Sequence, residues 1–295
     1  MSFNRPAWWI ALLALAAAGP ALSADVDQKV SADPHGTVEV SNTAGMIRCI
    51  GWDKPEVQIS GNVSGSGRLE VRQQGTTTII GVISRMGVVS HDEADLEIRL
   101  PAESSLRASA VSADIEVSGI SGDQRLQTVS GDIRTEASKA DVVLKSISGN
   151  LKVKGKREPI HTMVSTVSGD TSIVDVGGEL ELDTVSGNTI IDMNSLTRAR
   201  LQTVSGDLNM KAKLAPDVRI DGSTVSGTLE LRWPGAESAN VELASFSGDV
   251  SACFGGVPVQ HPTYGPGSTW RYGVKDAKGT IRIKSMSGDI HLCNR

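Results

Sequence analysis

Leu201-Gln202-Thr203-Val204-Ser205-Gly206-Asp207-Leu208-Asn209-Met210 contains a complete structural unit. Leu201 and Thr203 bracket the polar Gln202, and Leu208 and Met210 bracket the polar Asn209, so a period of two runs on both sides of Ser-Gly-Asp. Such alternation marks two half-buried strands, and the Ser-Gly-Asp between them marks a bend. The bend recurs with its flanks in place. Val129-Ser130-Gly131-Asp132 is followed by copies centred on Gly149, Gly169, Gly187, Gly206, Gly227, Gly248 and Gly288, and Val111-Ser112-Ala113-Asp114 is a degenerate first copy. Successive glycines from Gly131 to Gly248 are 18, 20, 18, 19, 21 and 21 residues apart, and the last gap, to Gly288, is 40.

The flanks keep step with the glycine. Five places before it stand Leu126, Leu144, Val164, Leu182, Leu201, Gly222, Leu243 and Ile283; three before it there is always Thr or Ser, from Thr128 to Ser285. Two and four places after it come pairs such as Ile133 with Thr135, Leu151 with Val153 and Ile290 with Leu292. The residues between, among them Gln127, Lys145, Arg134 and Lys152, belong on the solvent side. A Val, Ile, Phe or Met always stands two places before the glycine, directly after the inward hydroxyl. Alternation turns it outward, a kink at the corner turns it inward, and the sequence leaves that open.

A unit this short cannot bury its apolar face alone, so the units must stack, with like residues in files about 4.8 Å apart. The expected fold is all-β: a single-stranded parallel β-helix or β-solenoid with about 20 residues per rung. Val, Ile and Thr dominate the strands, and Gly with Asp or Asn recurs too often for long helices. Gly131, Gly149, Gly169, Gly187, Gly206, Gly227, Gly248 and Gly288 are the expected structural corners, where glycine permits a positive φ and the adjoining Asp or Asn bonds its own backbone.

The two ends depart from the beat. Arg5, an apolar run over residues 7–18, and the small residues Ala21-Leu22-Ser23-Ala24 have the order of a secretory signal peptide, so residues 1–24 are expected to be removed next to Ser23 or Ala24. The apolar run falls short of the roughly 20 residues a membrane span needs, so no span is expected after cleavage. Residues 25–106 keep strand-like alternation without Ser-Gly-Asp and read as an irregular N-terminal β region capping the solenoid, which then occupies 107–295. At 254–278 the beat stops in a Pro- and Gly-rich insertion that carries Tyr264, Trp270 and Tyr272. Those aromatics either fold back as a lid or form a platform on which a sugar ring or a protein stacks. Cys253 and Cys293 each lie five residues after a corner glycine. If the insertion replaces one rung, they fall on adjacent rungs within disulfide reach, which leaves Cys49 over.

Composition narrows the function. Of 295 residues, 31 are glycine and only 3% are aromatic, and 29 basic residues mix with 34 acidic ones for a net charge of -5, so nothing draws the chain to nucleic acid. The Asp/Asn file is the one repeated array of ligands or acids, with Asp132, Asp170 and Asp207 as its candidates for Ca²⁺ or for the paired acids of a polysaccharide-cleaving enzyme. Asn150, Asn188 and Thr228 interrupt its charge, and corner capping accounts for the same residues. The repeated Ser has no His in its unit to serve as a base, and the five histidines show neither triad nor metal-ligand spacing.

The Gly51-Trp52-Asp53 that follows a strand, the strand Leu96-Glu97-Ile98-Arg99-Leu100-Pro101-Ala102 and the Val-Ser-Gly-Asp corners resemble the bacterial putative-adhesin family with β-strand repeats, a domain of unknown function. The resemblance implies the repeat architecture and offers no catalytic residue to carry over. The expected protein is an exported, non-enzymatic envelope scaffold or adhesin-like binding surface, periplasmic or on the cell surface, without a cofactor. Its expected partner is an envelope glycan or protein. A carbohydrate-active β-helix enzyme and a calcium-stabilised adhesive rod are the alternatives.

Overall fold

The computed structural model describes residues 24–65, 67–83, 93–263 and 266–294, so the expected signal peptide up to Ser23 and the side chain of Tyr264 lie outside it. Among the described residues the regular structure is strand, with one short 3₁₀ turn at Ala236–Ser238. The first seven strands are β1 (Ala24–Ser31), β2 (Thr37–Trp52), β3 (Glu56–Val63), β4 (Arg68–Gln74), β5 (Thr77–Ile83), β6 (Ala94–Pro101) and β7 (Ser105–Ser118). The next seven are β8 (Gln124–Thr128), β9 (Ile133–Glu136), β10 (Val142–Ser148), β11 (Leu151–Lys154), β12 (Pro159–Ser168), β13 (Thr171–Ser186) and β14 (Thr189–Thr203). The last seven are β15 (Leu208–Thr224), β16 (Thr228–Arg232), β17 (Ala239–Ser245), β18 (Val250–Ala252), β19 (Ser268–Tyr272), β20 (Gly279–Ser285) and β21 (Asp289–Cys293).

These strands form one mixed sheet whose middle is parallel. On one side of the corners, β8 pairs with β10, β10 with β12, β12 with residues 177–186 of β13, and the ladder continues through β14 and β15. On the other side β9 pairs with β11 and β11 with residues 171–174 of β13. Each unit therefore bonds to the unit one repeat away, and the file five places before the glycine is paired in register from Leu126 through Leu144, Val164, Leu182 and Leu201 to Gly222. Those five apolar residues are buried, as are Ile133, Val153, Ile173 and Ile191 across from them. Burying a side chain of this size stabilises by about 1.5–3 kcal/mol, and the files repeat it at each level.

The corner glycines are explained by close approach more than by backbone angle. Only Gly169, Gly187, Gly206 and Gly227 among the eight have positive φ, from 102° to 129°. All eight face a backbone carbonyl of the neighbouring level so closely that a β-carbon would overlap it: Ala113 above Gly131, Gly131 above Gly149, and so on to Gly288 above Gly248. At these eight positions the stack has no room for a side chain; Ala113, the degenerate corner, is the level that carries a methyl group.

Within the stretch 25–106, β2 behaves as a level of its own. Residues 37–42 and 44–50 pair in register with β7, and Gly45, with φ 100°, sits opposite Ala113, the degenerate corner. Asn42-Thr43-Ala44-Gly45 replaces Thr-Val-Ser-Gly there, which is why the beat is not heard in the sequence. The intervening chain covers the open edges: β3 pairs antiparallel with β6 and with β1, and β4 pairs antiparallel with β5.

The C-terminal end is out of chain order. The insertion does not replace a rung. Instead the last repeat, β20 and β21, is inserted between β15–β16 and β17–β18, pairing with both, and β19 closes the outer edge of β17 antiparallel. The charge pattern suits that order. Down one outward file the register reads Glu181, Arg200, Asp221, Arg282, Glu242, Arg271, with the sign alternating at each step. Stacking in chain order would set Asp221 beside Glu242, and like charges directly opposite across strands are destabilising. Arg271 also forks onto Glu242 at 2.8 and 3.0 Å and holds its carboxyl below the usual range. Gly222 has a matching role inside, since the space its missing side chain leaves is taken by Cδ1 of Ile283.

Cys253 and Cys293 are disulfide-bonded with 4.8 Å between Cα atoms, and the bond ties the inserted last strand to β18. Cys49 is buried and unpaired; burial pushes its thiol up to about 12.

Candidate functional site

The corner carries three parallel files. The first answers the question the sequence leaves open: the apolar residue two places before the glycine points outward. Val111, Val129, Ile147, Val167, Val185, Val204, Val225, Met286 and Phe246 are 42–58% exposed, whereas the residue just before each, Ala110 at the first and Thr or Ser at the others, is buried or half-buried. Strand alternation continues into the corner without a kink, and at three corners the inward hydroxyl accepts the amide of the glycine. Thr128 Oγ1 accepts the N–H of Gly131 at 3.1 Å, and Ser245 and Ser285 do the same for Gly248 and Gly288 at 2.9 and 2.6 Å. The result is a ridge of nine apolar side chains in level order, about 38 Å long at one residue per 4.8 Å level.

The second file, serine, fastens the ridge. The amides of Ser130, Ser148, Ser205, Ser226 and Ser287 donate to the carbonyls of Val111, Val129, Val185, Val204 and Val225, at 2.8–2.9 Å. Two serine hydroxyls reach the same carbonyls, Ser130 Oγ that of Val111 at 3.4 Å and Ser226 Oγ that of Val204 at 3.3 Å. The ridge is thus held on hydrogen-bonded backbone and flanked by uncharged hydroxyls.

The third file, Asp/Asn, is a set of staples between levels. Asp132 N–H donates to Asp114 Oδ1 at 2.8 Å, Asn150 to Asp132 at 2.9 Å, Asp170 to Asn150 at 3.0 Å, Asn188 to Asp170 at 2.9 Å and Thr228 to Asp207 at 2.9 Å. This corrects the expectation of a bond to the residue's own backbone: the oxygen reaches along the stack to the next unit. Asn serves as well as Asp because only one oxygen is used. Asp132, Asp170 and Asp207, weighed as metal ligands or acids, each commit Oδ1 in this way. Asp170→Ala is expected to lower stability by about 1–2 kcal/mol while Asp170→Asn stays near wild type, as read from urea midpoints. Equal loss in both would show that the negative charge, not the staple, is what the position needs.

Within the insertion, Trp270 is 1% exposed. Phe254 packs edge-on against Trp270 and Tyr272, both at 5.4 Å, Trp270 stacks on Tyr272 at 5.8 Å, and its Nε1–H donates to the Val257 carbonyl at 3.0 Å. The faces of Trp270 are occupied, so burial there supports the lid and leaves Tyr272, half-buried, as the more open ring. Register does bring Ser251, His291 and Glu230 into one file, with Ser251 Oγ 2.6 Å from His291 Nδ1. Glu230, however, accepts from Asn209 at 3.1 Å and pairs with Arg232 at 3.5 Å, and no acid among the described residues lies within 4.0 Å of His291, so the imidazole lacks an orienting group. A shallow depression of about 590 Å³ lined by Arg198, Arg200, Arg282 and Lys284 lies along the alternating charge file.

The ridge is the feature that sequence reasoning left undecided. Half of the signal was present: a hydroxyl file already facing inward turns its successor out wherever the backbone does not kink.

Repeated strand, corner, strand units, joined level by level in a mixed sheet with antiparallel closing strands at both ends, define an all-β strand-repeat protein. The chain belongs to the Toastrack DUF4097 family, whose model matches residues 37–293. It is similar to solved structures described as a putative adhesin from Bacteroides fragilis (10% identity, 91% of this chain and 97% of that one, TM-score 0.36). It is also similar to a putative adhesin from Parabacteroides distasonis (11%, 93% and 98%, TM-score 0.39) and to a putative lipid binding protein from the same organism (10%, 91% and 96%, TM-score 0.37). No curated protein matches it. No helix among the described residues is long and apolar enough to cross a membrane.

Proposed function

We propose that the chain is an exported, non-enzymatic β-solenoid with about 20 residues per rung, and that its corner ridge is an adhesin-like binding surface in the cell envelope. The observation that carries this reading is the ridge itself: nine apolar side chains, each 42–58% exposed, in one uninterrupted file. Soluble proteins seldom expose contiguous apolar patches beyond a few hundred Å² unless something binds there. In-register parallel pairing from β8 to β15 supports the winding, and the bonded Cys253 and Cys293 fit an oxidising compartment. The acids of the corner act as staples, which favours a scaffold over catalysis.

The test compares the exported protein with a variant carrying Val167→Ser, Val185→Ser and Val204→Ser, three adjacent exposed positions. Sedimentation with isolated envelope fractions is expected to show at least roughly tenfold weaker retention of the variant, with unchanged circular dichroism. Equal retention of the two proteins sinks the ridge as the binding surface.

A further inference from the structure

We infer that the ridge of one chain seats on the ridge of a second copy, in a parallel two-fold dimer whose axis runs along the stack of levels. The inference rests on the ridge being a binding surface and names its partner as a second copy, so that retention by envelope fractions reads seating on copies already held there. Three observations carry it. First, nine side chains at 42–58% exposure leave roughly 700 Å² of apolar surface open, above the 300–600 Å² of the largest patch on a typical monomer and near the roughly 800 Å² each partner gives a stable interface. Second, the ridge repeats once per level, and a second copy has the same spacing, so side chains meet in step along its whole length. A ridge against a surface of any other period would fall out of step within a few levels.

Third, the flanking charges suit this arrangement and oppose its alternative. The Asp/Asn file lies on one side of the ridge; on the other lies the outward file four places before each glycine. A two-fold axis parallel to the ridge sets the first file of one copy against the second file of the other, level by level. Lys284 then faces Asp289, Lys145 faces Asn150, and Asp183, the one acid in its file, faces an Asn, Asn188. From β7 to β20 and β17, no level brings acid against acid. Antiparallel ridges would instead lay the Asp/Asn files of the two copies together. Like charges so juxtaposed oppose association, and charge pairing of this kind selects register and orientation.

Single cysteines at Val129, Val185 and Val225 test the geometry in the otherwise native, disulfide-intact chain, whose remaining thiol, Cys49, is buried. In a parallel two-fold dimer each residue faces its own counterpart, so all three variants are expected to form covalent dimers under mild oxidation. Mixing Val129→Cys with Val225→Cys is expected to give only homodimers. In sedimentation equilibrium, Val185→Asp is expected to weaken self-association by at least roughly tenfold with unchanged circular dichroism. A monomer at every concentration, a dimer indifferent to Val185→Asp, or cross-linking at one site alone would each overturn the inference. Envelope retention of the wild type and the serine variant is read separately, so a monomer that still binds envelope through its ridge removes the dimer and leaves the binding surface standing.

Discussion

Gly187→Ala is expected to destabilise the protein by about 3 kcal/mol or more, a large effect for one methyl group. Gly187 has φ 121°, and a β-carbon on it would overlap the carbonyl oxygen of Gly169 on the neighbouring level. Neither can be relieved locally. The Gly169 carbonyl is fixed by the parallel ladder on both sides of the corner, and any shift propagates to Gly206 and Gly149. Two companion substitutions separate the causes. Gly75→Ala, at φ 61° with open space around it, tests backbone strain alone and is expected to cost about 1 kcal/mol. Gly131→Ala, which lacks positive φ but faces the Ala113 carbonyl, tests contact alone and is expected to approach the Gly187 value. Urea midpoints with constant slope measure all three. If Gly131→Ala is no worse than Gly75→Ala, close approach is not what selects glycine at the corners.

Removing the disulfide, by Cys253→Ser together with Cys293→Ser, is expected to lower stability by about 4 kcal/mol, the loop-closure value for a separation of 40 residues. The bond also holds an element out of chain order. β20 and β21 complete both β15–β16 and β17–β18, so their release would open two parallel edges at once. Hydrogen exchange in the variant is therefore expected to accelerate over residues 239–252 and 279–293 and not at β9 or β11. Thermal unfolding with an unchanged midpoint, or exchange that rises evenly along the chain, would show that the charge file and packing hold the last repeat without help.

Much of the architecture is legible in the residues because the repeat writes each rule several times. Leu126, Leu144, Val164, Leu182 and Leu201 share a phase in the sequence and a paired file in the structure. What escaped reading lies where one copy differs from the rest. β2 is a level whose corner is spelled with Asn42 and Gly45, and a motif search does not hear it. Register revealed Asp221, Arg282 and Glu242 as neighbours, though they stand 61 and 40 residues from their partners. The ridge was visible as a regular file, but its direction depended on whether the backbone kinks.

From its residues alone the protein is all-β, built of two-strand units around a glycine corner, with Cys253 and Cys293 in equal phase; each of these follows from local periodicity, which needs no knowledge of neighbours. Tertiary structure decided which way Val185 and its counterparts point, that the Asp/Asn oxygens staple one unit to the next, and that the last repeat enters before the one preceding it. Those outcomes depend on contacts between units, where a carbonyl, a charge or a vacant space such as that beside Gly222 on one level chooses what fits against it on the next.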